Sequence, residues 1–137
     1  MKYWLLKTEP KEWSWNQQTR FNNKGAEWSG VRNYQAAKNL RNMKKGDKCF
    51  FYHTGKEKKI VGVVEIIKEH FLDNTDETHK FVSVLVKALV PLKKAVKLEK
   101  IKKNKDFADL ALVKQSRLSV MKIDLKSWKK IYKMGKV

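Results

Sequence analysis

Phe81-Val82-Ser83-Val84-Leu85-Val86-Lys87-Ala88-Leu89-Val90 decides the fold. Side chains alternate between the two faces of an extended chain. Val82, Val84, Val86, Ala88 and Val90 therefore share one uninterrupted apolar face, and the other face carries Ser83 and Lys87. One apolar and one mixed face is the pattern of a half-buried antiparallel strand. Residues 60–67 read as a second long strand, and the polar run Asp73-Asn74-Thr75-Asp76-Glu77-Thr78 joins the two.

Working toward the N-terminus, residues 49–53 form a strand that Thr54-Gly55-Lys56 ends. Before it, Asn33 caps a helix running to about Met43, with Ala36, Leu40 and Met43 on one face. Lys44-Lys45-Gly46-Asp47 closes that helix. Ser14 caps a short helix through Arg20, and Asn22-Asn23-Lys24-Gly25 follows as an irregular stretch. The first strand spans about residues 2–7 and ends at Thr8-Glu9-Pro10, because proline lacks an amide donor and restricts Glu9. Toward the C-terminus, Leu98 and Ile101 mark a short helix and Asp106 caps another turn. Residues 117–123 form the last strand. Asp124 caps a final helix with Leu125, Trp128, Ile131 and Tyr132 on one face. Strands outnumber helices, so the expected class is α+β: a mixed β-barrel of five to six strands decorated by several helices. A Rossmann-like fold is excluded, since no strand leads into a glycine-rich turn and crossover helix. Residues 1–137 read as a single domain, with no linker, repeat or low-complexity tract.

Of the 137 residues, 42% are hydrophobic and five are tryptophan, enough for one core. No stretch reaches the roughly 20 apolar residues of a membrane span. The start, Met1-Lys2-Tyr3-Trp4-Leu5-Leu6-Lys7, is too short for a signal-peptide core, so a cytoplasmic protein is expected. Cys49 is the lone cysteine and excludes an intrachain disulfide or a multi-cysteine zinc site. The net charge is +18, from 32 basic and 14 acidic residues. Lysine far outnumbers arginine, which occurs only as Arg20, Arg32, Arg41 and Arg117. Exchange of arginine for lysine conserves charge, so the excess reflects a shortage of acids. Such a field favours nucleic acid or another polyanion, or it is a solvated basic surface without a specific partner.

Catalytic signatures are missing. The chain has no Walker loop, no G-x-G-x-x-G, no H-E-x-x-H and no zinc-deaminase pattern. His53, His70 and His79 do not stand at metal-ligand spacing, and no metal or cofactor is expected. Cys49 reads as a small buried residue. Three polar-aromatic clusters remain. In Trp28-Ser29-Gly30-Val31-Arg32-Asn33-Tyr34-Gln35, Trp28 either stacks on a base or fills the core, and Arg32 either meets a phosphate or braces the loop. In Phe50-Phe51-Tyr52-His53-Thr54, alternation puts one pair in the core and leaves the other core or pocket. In Ser116-Arg117-Leu118-Ser119-Val120, Arg117 suits planar bidentate bonding.

With these residues in view, the chain resembles the EVE domain family of the PUA-like superfamily, which takes in the thymocyte nuclear proteins and is related to the YTH domains. The resemblance rests on residues 3–10, 28–36, 43–47, 51–53, 60–62 and 112–120, in that order over nearly the whole chain. Thr8, Thr54 and Lys114 depart mildly from the family pattern, and residues 73–79 make a short loop, expected to reduce the cover over the site. The resemblance implies a PUA-like barrel that binds DNA or RNA and takes a modified base, a methylated or hydroxymethylated cytosine, into a pocket. It implies one wall from Trp28, Val31, Asn33 and Tyr34, a second from Phe51, Tyr52 and His53, and a third from Ser116, Arg117 and Leu118. Lys7, Thr8, Glu9 and Pro10 would form the floor or mouth, and Arg32 would brace the loop. Trp4, Trp13, Trp15 and Trp128 are assigned mainly to the core, with Trp13 and Trp15 close enough to flank the site. A monomeric binding module without catalysis is expected. The alternatives are an RNA- or nucleotide-processing enzyme, with His53, Glu9 and Arg117 as its trio, or a nonspecific RNA-associated protein.

Overall fold

The computed structural model describes residues 1–137. Six strands form one mixed sheet in the order β2-β5-β4-β3-β1-β6. The strands are β1 (Tyr3–Thr8), β2 (Ala26–Trp28), β3 (Lys48–His53), β4 (Lys59–Leu72), β5 (Val82–Lys97) and β6 (Val120–Ile123). The helices are α1 (Trp15–Thr19), α2 (Tyr34–Asn42), α3 (Leu98–Lys102), α4 (Ala111–Lys114) and α5 (Leu125–Met134). β1 and β3 pair in parallel; all other neighbours are antiparallel. β4 and β5 pair with four breaks in register, and such irregularities bend a strand and increase its twist. The sheet curls into an open, barrel-like form. Its edges, β2 and β6, are not paired with each other and leave a seam.

Both long strands exceed their apolar stretches. β4 continues through Lys68-Glu69-His70, where the hairpin leaves the core and its side chains are exposed. β5 continues past Pro91, which sits opposite Gly62 at a break in the ladder, where its missing amide costs little. β2 has only three residues, too few to show a period. The last strand is shorter than 117–123, because Leu118 N–H donates to the Gln115 carbonyl at 3.0 Å and holds 115–118 in a turn. The caps at Ser14, Asn33 and Asp124 form. Asp106 is not a cap: Asn104 caps that turn by accepting from Asp106 N–H. Leu125 is exposed, so α5 packs through Trp128 and Ile131.

Thirty-one buried apolar residues form one continuous core. Trp128 stacks on Phe50 at 3.8 Å and on Tyr3 at 4.6 Å, which fixes α5 to one face of β3. Buried Asp47 accepts from Trp4 Nε1, Lys2 N and Lys44 N, tying the α2–β3 turn to β1. On the other face of β3, Trp15 lies over Gly62. A Cβ there would stand 2.4 Å from the indole. The indole cannot simply retreat, because Trp15 N–H donates to His53 Nε2 at 3.0 Å and its ring meets Phe51 edge-on. Gly62→Ala is expected to destabilise the fold by about 1–3 kcal/mol, the usual cost of overpacking. A urea midpoint equal to that of the parent chain would refute this close contact. No helix is long and apolar enough to cross a membrane.

Candidate nucleic-acid interface

A cleft of about 790 Å³ opens at the seam. On one side stand Lys7, Thr8 and Glu9 at the end of β1, with Ser119 just before β6. On the other stand residues 25–32, with Leu85 of β5 behind them. Glu12, Trp13 and Phe21, which flank α1, complete the mouth. Local chemistry explains the mouth. After Pro10 the chain turns back, with Glu12 N–H and Trp13 N–H both donating to the Glu9 carbonyl at 2.9 Å. The Thr8 hydroxyl donates to the Trp13 carbonyl. Trp13 Nε1 donates to Gln18 Oε1 at 2.9 Å, and buried Gln18 donates in turn to the Val86 carbonyl. The Trp13 indole is thereby anchored to the sheet through one amide. Phe21, 45% exposed, meets it edge-on at 5.3 Å. Trp28 lies deeper, 7% exposed, with its edge contact to Phe51 at 5.6 Å.

The loop between β2 and α2 is held from below by the short β4–β5 connection. Asp73 is buried and accepts from Gly30 N–H at 2.7 Å, from Arg32 Nη1 at 3.0 Å, and from the amide and hydroxyl of Thr75. Arg32 Nη2 also donates to the Thr75 hydroxyl. Gly30 has φ +83°, a conformation open to glycine at little cost, and this turns its amide toward Asp73. Burial opposes the charged form of Asp73 and is the largest single influence. The Thr75 hydroxyl, the Gly30 and Thr75 amides and Arg32 together outweigh it and hold the carboxyl at about 2. Asp76 repeats the device, accepting from Thr78, Lys80 and Phe81, and its carboxyl also lies well below the ordinary value. The short 73–79 connection thus braces the cleft's loop.

Lys7 stands at one end of the cleft. Its Nζ donates to the Ser116 carbonyl at 3.0 Å and lies 5.6 Å from the Tyr52 ring centre. Burial pulls its ammonium below the ordinary lysine value and pushes the Tyr52 phenol up to about 12. Three of the chain's 14 acidic residues, Glu9, Glu12 and Glu27, line this one cleft. The arrangement combines aromatic surface with hydrogen-bond acceptors, on a strongly cationic protein.

Of the residues expected from sequence, Lys7, Thr8, Glu9, Trp28, Val31 and Arg32 meet in the cleft. Pro10 turns the chain beside it without lining it. Phe51, Tyr52 and His53 are buried behind it, and Phe51 supports Trp28 from below. His53 uses both ring nitrogens within the fold. Nε2 accepts from Trp15 N–H, and Nδ1 lies 2.9 Å from Glu57 Oε1. Asn33 Oδ1 caps α2 through Ala36 N–H, and Tyr34 is exposed against Phe81. Asn33, Ser116, Arg117 and Leu118 line a separate cleft. Sequence patterns missed Glu12, Phe21, Glu27, Leu85 and Ser119, and left Trp13 between core and site. The clearest available signal was the concentration of aromatic residues around Pro10.

The family model of the EVE domain matches residues 2–134. The chain belongs to the EVE domain family. Thymocyte nuclear protein 1 of Danio rerio is 34% identical over 149 residues, covering 85% of this chain and 64% of its own. The solution structure of Rpa0253 from Rhodopseudomonas palustris has a TM-score of 0.93 at 46% identity, covering 98% of this chain and 93% of that one. Human THYN1, in a crystal structure with DNA containing 5-methylcytosine, has a TM-score of 0.89 at 25% identity, covering 100% and 99%. This chain covers between about a fifth and two thirds of the length of the curated relatives it matches.

Proposed function

We propose that this EVE domain is a nucleic-acid-binding module that takes one modified cytosine out of the base stack into the seam cleft. The observation that carries the proposal is the joining of Trp28, Trp13 and Phe21 with three carboxylates in one cleft of a chain with net charge +18. Extruding a base costs a few kcal/mol. Stacking on an aromatic ring returns about 1–3 kcal/mol, and surface lysines hold the phosphates. The carboxylates favour cytosine in particular, because its N4 amino group donates where thymine presents an acceptor. That distinction matters because 5-methylcytosine and thymine carry the same methyl group. An apolar niche for the methyl separates 5-methylcytosine from cytosine by only about 1–3 kcal/mol, as for a methylene in an enzyme pocket. The 5-methylcytosine DNA bound by human THYN1 supports this reading. A binding role also accords with His53, whose ring nitrogens engage the Trp15 amide of α1 and the Glu57 carboxylate rather than face a substrate.

The test is binding of oligonucleotides that differ at one position, with cytosine, 5-methylcytosine, 5-hydroxymethylcytosine or thymine, at two salt concentrations. A modified cytosine should bind tightest and thymine weakest. Affinity that follows only length and salt would leave a nonspecific polyanion binder. Trp13→Ala should weaken the best ligand by about 1–3 kcal/mol, the value of one stacked base. The thermal midpoint should fall less than for a fully buried tryptophan, since the indole is half-buried and its main loss is the bond to Gln18. Unchanged affinity would remove Trp13 from the base contact.

A further inference from the structure

Arg117 lies outside the base cleft. It lines a second cleft, of about 310 Å³, with Asn33, Gln35, Lys114, Gln115 and Ser116. The two clefts adjoin along the seam. Val31 and Arg32 line the first and the next residue, Asn33, lines the second; Ser119 lines the first and Ser116 the second. Lys7 stands at the junction, lining the base cleft while its Nζ bonds the Ser116 carbonyl.

The chemistry of the second cleft differs from that of the first. No carboxylate lines it. The nearest acid partner is Asp109, an exposed residue 3.0 Å from Lys114 Nζ. Arg32 and Arg41 are tied to groups within the chain, whereas Arg117 makes no side-chain hydrogen bond or ion pair. The exposed side-chain amides of Gln35 and Gln115 likewise have no partner. An unpaired guanidinium presents a fork that fits two phosphate oxygens. Primary amides match the edges of bases.

Resting on the base-cleft reading, we propose that the second cleft takes the nucleotide next to the extruded base on the same strand. Lys7 meets the phosphate that joins the two nucleotides, and Arg117 grips the following phosphate. The protein therefore recognises at least a dinucleotide step of a strand. A free modified nucleotide fills only the first cleft.

The experiment measures binding of a labelled oligonucleotide with a central 5-methylcytosine, and of its unmodified twin, across a salt series. The variants are Arg117→Gln, Arg117→Lys and, as a control, Lys129→Gln, which removes one exposed charge from α5. Arg117→Gln should weaken both oligonucleotides about 10-fold. It should lower the slope of log affinity against log salt by about one, as loss of one phosphate contact does. Arg117→Lys should recover the slope without the full affinity, because lysine lacks the planar fork. 5-Methyldeoxycytidine monophosphate should bind the parent and Arg117→Gln equally. The proposal is overturned if Arg117→Gln matches Lys129→Gln, or if the mononucleotide suffers the same loss as the oligonucleotides. Thermal melting verifies folding, which Arg117 should not affect since it makes no internal side-chain bond. Loss of the 5-methylcytosine preference in the parent would instead overturn the base-cleft reading, while the Arg117 comparison is still read on the unmodified strand.

Discussion

Asp73→Ala is expected to destabilise the fold by about 3–5 kcal/mol and to abolish base binding, although Asp73 does not line the cleft. Loss of one member of a buried, hydrogen-bonded charge network has costs of this order. Arg32 contributes the smaller share: its side chain is 40% exposed, and a pair so open to water is worth little. The larger share comes from the Gly30 and Thr75 amides and the Thr75 hydroxyl, which would lose their acceptor. A buried donor left unpaired costs about 1–3 kcal/mol. The Gly30 turn would lose its anchor, and with it the position of Val31 beside Trp28. The pH dependence follows from the carboxyl being held at about 2 instead of 3.8. A depressed value means that the folded state favours the ionised form. Its stabilisation is fully present above the unfolded value and disappears as pH falls toward about 2. The gap in urea midpoint between the parent and Asp73→Asn should therefore be widest near neutrality and narrow between about pH 4 and pH 2. A gap independent of pH would show that the charge on Asp73 does not hold the loop.

The sequence made legible what short-range forces decide. The Val82–Val90 alternation marks a strand because one face must be buried. Ser14, Asn33 and Asp124 mark helix starts because a cap bonds an amide two or three residues away. The extent of β4 was hidden because Lys68-Glu69-His70 is exposed, and that of β5 because its apolar alternation lapses past Pro91, where only Leu92 and Val96 are buried among exposed lysines. β2 was hidden because three residues show no period, and only pairing with Val84 and Val86 makes them a strand. At the site, the ordered motifs led to Lys7–Glu9 and to Trp28–Arg32, which do meet. They did not reveal that His53 would engage both nitrogens with α1 and Glu57, or that Arg117 would face its own cleft. Those outcomes depend on side-chain direction after folding. The same holds for Asp73: its residue type suggested only a polar turn, while its partners lie more than 40 residues away at Gly30 and Arg32.

Trp28→Ala should produce the other large effect, and it should differ in kind from Trp13→Ala. Trp28 is 7% exposed and ends β2, a three-residue edge strand fixed to the barrel by pairing with β5. Truncating a buried tryptophan to alanine typically costs about 3–5 kcal/mol. Here the cavity would open against Phe51 and beside the seam, where β2 has no second strand to hold it. Both stability and binding should fall. Trp28→Phe separates the two roles, because phenylalanine keeps an edge toward Phe51 but offers a base less surface. It should recover most of the stability and only part of the affinity for 5-methylcytosine. Urea midpoints and oligonucleotide affinities for Trp28→Ala, Trp28→Phe and Trp13→Ala would then place the indoles in order of depth. Trp13 should affect affinity more than stability, and Trp28 both quantities strongly. If a folded Trp28→Phe bound 5-methylcytosine as tightly as the parent, Trp28 would be a support for the cleft and Trp13 the stacking surface.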